Sequence, residues 1–90
     1  MKRLFFVKNM NVFLQNEDAK RKGFTFESAA SLKLDKEGFV FLFDADEEFF
    51  KNEVFKNEEV EELKGKDKEK ALKEFERIEE EKVSGIGGLF

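Results

Sequence analysis

Asp44, Asp46, Glu47 and Glu48 place four carboxylates within five residues, the tightest set of acid–base or metal-binding groups in the chain. An Asp-x-Asp start resembles a calcium loop, whose alternate oxygens wrap a hard cation. Here Phe49 stands where the turn glycine of such a loop must be, and Phe55 occupies the twelfth position, where a glutamate is needed. The run reads better as a helix cap, with Asp44 as N-cap and Glu47 reaching back to the backbone. Nucleophilic chemistry has little to work with. The hydroxyls are Thr25, Ser28, Ser31 and Ser84, and there is no His, Cys or Tyr to activate one. Lys20, Arg21 and Lys22 form a basic run inside "NEDAKRKG", read as a polar loop that could bind an anion. "GIGG" near the end is not a phosphate loop. It follows a helical segment, not a strand, and leads into no helix. These readings predict no enzyme, no metal site and no cofactor.

The elements that position these residues split the chain in two. "FTFESAASLKL", Phe24 to Leu34, alternates apolar and polar, as a half-exposed antiparallel strand does. "DKEG" is a turn, and "FVFLF", Phe39 to Phe43, is apolar throughout. Such a strand needs cover on both faces, from its own chain or another. Upstream, Leu4, Phe6, Met10, Val12 and Leu14 share one parity, interrupted at Lys8 and Asn9, which predicts a bulge or two short strands. Downstream, Phe49, Phe50, Val54 and Phe55 mark one helix, and Asn57 caps a second that Gly65 ends or bends. Asp67 restarts a helix with a narrow stripe of Ala71, Leu72, Phe75 and Ile78. Glu62–Lys66 and Glu69–Lys73 are spaced as i,i+4 pairs. Glu79, Glu80 and Glu81 oppose the dipole if the helix stops there, so it frays, continues or meets something basic.

Ninety residues, of which 13 are Phe and none Trp or Pro, bound the answer to one domain. The expected fold is α+β: a small antiparallel sheet of three or four strands in meander order from residues 3–43, then helices over residues 45–82 on one face. The domain is expected to span 1–84, with 85–90 as a Gly-rich apolar tail. "FVFLF" and Phe49–Phe50 offer more apolar surface than so short a chain readily covers, which predicts a homodimer. A net charge of −4 without a basic stripe argues against nucleic acid. The apolar run Leu4–Val7 is stopped by Lys8, too short for a signal sequence or a membrane span. A cytoplasmic protein is expected. Its wealth of Glu and Lys leans towards a thermophile.

The ending "EEEKVSGIGGLF" resembles the end of archaeal ribosomal stalk proteins. In those, an acidic stretch precedes a Gly-Leu-Gly-x-Leu-Phe type ending that recruits translation factors. Leu89 and Phe90 match the anchors, and Ile86 takes the place of the first leucine. The Ile86-x-x-Leu89-Phe90 spacing is also similar to that of sliding-clamp-binding peptides, with Val83 where their glutamine usually stands. The likeness covers about a dozen residues. It implies a recognition peptide shown to translation or replication machinery. The residues themselves equally allow Gly85 to end the helix and Ile86, Leu89 and Phe90 to fold back onto the protein's own core, or the tail to dock on the other subunit of a homodimer. Ile86, Leu89, Phe90, Phe49 and Phe50 are the expected protein contacts.

Overall fold

The computed structural model describes residues 1–89, with side chains as far as Glu81. The elements are strand β1 (Lys2–Val7), helices α1 (Asn11–Leu14) and α2 (Glu17–Lys22), strands β2 (Thr25–Ser28) and β3 (Phe39–Asp44), 3-10 turns at Phe49–Lys51 and Glu53–Lys56, strand β4 (Glu61–Glu62) and helix α3 (Gly65–Leu89). The four strands form one antiparallel sheet in the order β2-β3-β1-β4. The fold is α+β, as expected. The order is not sequential, because β1 lies between β3 and β4.

β1 and β3 are apolar at alternate and intervening positions, and the sheet is covered on both faces. On one face, Leu4, Phe6 and Val40 pack with Ala29, Leu32, Leu34 and Leu63 under Ala71 and Phe75 of α3. On the other, Phe5, Val7, Phe41 and Phe43 pack with Phe13, Ala19 and Phe50, flanked by half-buried Phe24, Phe26, Phe39, Phe49 and Phe55. Phe13 sits 4.9 Å from the Phe41 ring and 5.1 Å from Phe43, and Phe26 stacks on Phe41 at 4.8 Å. Each fully buried ring is worth about 1.5–3 kcal/mol of removed apolar surface. Helices were expected on one face only. α3 supplies that face, and the short helices and 3-10 turns supply the other.

Three segments depart from the sequence reading for local reasons. Beyond Val7 the chain does not continue as strand. The Asn9 side chain accepts from the Asn11 amide at 2.9 Å and starts α1, which drives Phe13 into the core. "NEDAKRKG" is a helix, not a loop. Asn16 caps it by accepting from Ala19 N at 2.9 Å, and Glu17 and Asp18 open it. Lys20, Arg21 and Lys22 close it, each charge complementing the dipole. The predicted strand to Leu34 stops at Ser28. Ser28 and Ser31 tie a turn there, and Lys33 takes φ 60°.

The second half differs more. No helix follows Asp44, which ends β3. Asp46 accepts from Phe49 N at 3.1 Å and starts a 3-10 turn instead. Asn57 accepts from Glu59 N at 2.9 Å, a turn that feeds β4 and caps no helix. Gly65 begins α3 and does not end a helix, at φ 63°. Glu62 therefore lies in β4, outside any helix shared with Lys66. Glu79–Glu81 fall inside α3, because the helix continues to Leu89.

Candidate functional site

The carboxylates that opened the sequence reading are spent locally. Asp44 lies 3.5 Å from the terminal ammonium, Asp46 caps the 3-10 turn, and Glu48 pairs with Lys51 at 3.1 Å. Among the described residues, no three carboxylates are grouped to hold a metal ion. Ser28 Oγ donates to Ser31 Oγ at 2.8 Å, and Ser31 N donates to Ser28 Oγ at 3.2 Å. Both hydroxyls close the turn after β2.

The basic run is divided by its helix. Lys20 is exposed, while Arg21 and Lys22 line an open groove of about 620 Å³ with Lys51, Asp18, Glu48, Phe49 and Asn52. Asn52 Nδ2 donates to Asp18 Oδ2 at 2.7 Å. The groove carries charges of both signs, and the basic run lies on a helix, not in a loop. Phe49 and Phe50, expected as contacts, belong to the Phe face. Phe49 is half-buried at the groove, and Phe50 is only 7% exposed. The side chains of Ile86 and Leu89, and all of Phe90, lie outside the described residues.

Arg3 and Glu62 were not foreseen. Arg3 Nε and Nη2 donate to the two Glu62 oxygens at 2.8 and 2.6 Å, clamping β1 to β4. The guanidinium also sits 4.7 Å from the Phe50 ring centre, a favourable stacking position. Hydrogen bonding from Arg3 holds the Glu62 carboxyl below its ordinary value, against the opposing effect of burial. The same bond raises Arg3. The partners are 59 positions apart, and no local pattern announces such a pair.

The two sheet edges differ. β4 is two residues long, and both its glutamates are engaged, Glu62 by Arg3 and Glu61 by Lys36 at 3.4 Å. β2 is four residues long, carries no Lys or Pro, and is half-buried along its length. Beside it runs a second groove, about 390 Å³, between α3 and the sheet. Thr25, Leu42, Leu72 and Phe75 lie there among Lys2, Lys22, Glu76 and Glu79. This end of the sheet, with α3 above it, is the best-formed candidate surface. No helix among the described residues is long and apolar enough to cross a membrane. No family model, curated protein or solved structure matches this chain.

Proposed function

We propose that the chain is a non-enzymatic interaction module that works as a homodimer. The observation that carries this reading is the reach of α3. Its 25 residues span roughly 37 Å at 1.5 Å per residue. The strands beneath it have at most six residues, about 20 Å. Among the described residues, the last α3 side chain packed on the sheet core is Ile78. The helix is longer than its own sheet requires, and the surplus suits contact with another polypeptide. Exposed apolar surface does not favour dimerisation. Val40, Phe41, Phe43 and Phe50 are buried within one chain, and Met1 and Met10 are the exposed large apolar side chains among the described residues. Sedimentation equilibrium at micromolar concentration tests the homodimer, and a sharp monomer mass defeats it.

The same reach favours a second reading, in which the segment holding Ile86, Leu89 and Phe90 is offered to a larger translation or replication assembly. Truncation after Ser84 separates the two. Loss of a co-purifying protein with the dimer intact supports the second, and loss of the dimer supports the first. Neither reading employs the hydroxyls as nucleophiles. A fluorophosphonate probe should leave Ser28 and Ser31 unlabelled, and labelling that alanine substitution removes would restore an enzymatic reading.

A further inference from the structure

We infer that α3 is a lid, which opens from the sheet about Gly65 while the four strands and the Phe face stay folded. The inference is independent of the homodimer reading, since it concerns how one chain holds its own helix.

The chain is fixed just before the helix and free at its first residue. Arg3 grips Glu62 through two hydrogen bonds, and Leu63 N donates to Leu4 O at 2.9 Å. Lys64 is exposed. Gly65 then begins α3 at φ 63°, with no packed neighbour within 4 Å of the place a Cβ would take. A glycine in open space absorbs a change of φ and ψ without a clash, which is what a hinge requires. Beyond it the helix runs unbroken.

The two faces of the sheet are held with unequal strength. On the Phe face, rings interlock: Phe5 lies 4.6 Å from Phe55, and Phe13 lies 4.9 Å from Phe41 and 5.1 Å from Phe43. Tilted and edge contacts of this kind add to what burial alone supplies. α3 has a narrower hold. Among its described side chains, Ala71 and Phe75 are buried, and Leu72 and Ile78 are half-buried. The core beneath it is aliphatic apart from Phe6 and Phe75. Lys33 meets Glu74 at 3.5 Å, but its side chain is largely exposed, and such pairs contribute little. The helix also stands off the sheet at the β2 end, where the groove of about 390 Å³ runs past Leu42, Leu72 and Phe75. An element with so few buried contacts opens at a lower free energy than global unfolding. When α3 leaves, Ala29, Leu32, Leu34 and Leu63 still lie against Leu4, Phe6 and Val40, so that core is uncovered in part and not dissolved.

The test labels buried thiols in the full chain, which has no cysteine of its own. Ala71→Cys puts a thiol beneath α3, and Val7→Cys puts one on β1 among the Phe rings. Both parent side chains are fully buried. Each variant reacts with iodoacetamide at rising urea, and its own urea melt gives the rate that global unfolding alone would allow. In low urea the Ala71→Cys thiol should react about a hundredfold faster than that rate, with a urea slope well below that of the melt. The Val7→Cys thiol should follow its melt. Adding Gly65→Ala to Ala71→Cys locates the hinge. Alanine at φ 63° strains the shut helix, and opening about that residue relieves the strain, so labelling in low urea should rise about tenfold. If both thiols follow their melts, α3 does not open and the inference fails. If both react equally fast above their melts, the sheet opens with the helix and there is no lid. If Gly65→Ala leaves labelling unchanged in low urea, Gly65 is not the hinge.

Discussion

Gly38 has φ 155°, and a Cβ there would meet Val7 O at 2.5 Å and the Phe6 ring at 2.8 Å. Neither neighbour can withdraw, since one is backbone and the other is core. Gly23 also has positive φ, 87°, but open space around it. Gly38→Ala should lower Tm by roughly 5–20 °C, and Gly23→Ala by about 5 °C, from strain alone. Equal losses in thermal melts would contradict the contact. The Arg3–Glu62 clamp makes a pH prediction. Glu62 sits below its ordinary value of 4.5 when folded. Its contribution is therefore complete above that value and lost as pH falls through the depressed one. Arg3 stays charged throughout this range. Arg3→Met keeps a stem on Phe50 and removes the bond. The Tm gap between wild type and variant should be widest near neutrality and close as pH falls below 4.5 and through the depressed value. A gap that stays constant with pH rules the linkage out.

Asn16 shows what an element owes to its first residue. Replacing it with Ala removes the bond to Ala19 N and should cost about 1 kcal/mol, a few degrees of Tm. Glu17→Ala should cost less, because it removes only a charge near the helix start. The α2 signals stood in the sequence in full: a capping Asn, two acids, three bases and a Gly. A six-residue helix with Ala19 as its one buried residue shows no apolar stripe to count, so periodicity does not reveal it. The β2–β3 hairpin and the two-sided burial of β3 were legible from period and composition. The end of β2 was not. Ala30, Leu32 and Leu34 kept the strand parity while two serines were tying the chain into a turn. Helix α3 was legible as a narrow stripe, but not its start, because Gly65 reads equally well as a stop. The Arg3–Glu62 clamp could not be read, since tertiary packing alone brings its partners together.

At the scale of the molecule, the sheet separates two cores that share no side chain. Phe75 and Phe13 lie on opposite sides of it. Leu substitutions at these two positions should therefore add in free energy to within about 0.5 kcal/mol. Substitutions at Phe13 and Phe41, whose rings meet at 4.9 Å, should not add. Double-mutant cycles by urea denaturation decide it, and strong coupling between Phe13 and Phe75 would mean the sheet transmits repacking across its thickness. If two copies associate, Tm must also rise with protein concentration, and a flat dependence speaks for a monomer.

The pairing of β1 with β3 runs Leu4↔Leu42, Phe5↔Phe41, Phe6↔Val40 and Val7↔Phe39. In an ordinary half-exposed sheet, a slip of one residue turns the apolar set out to water, and hydrophobicity alone forbids it. Here both faces are apolar, so the same slip exchanges one greasy surface for another. Water cannot tell the two alignments apart. The choice must be written in shape: a bare glycine under the Phe6 ring, large rings gathered on one side, smaller aliphatics on the other. A variant library that kept every position apolar but levelled those sizes would preserve hydrophobicity and erase the instruction. Its members should collapse readily and fail to settle on one alignment.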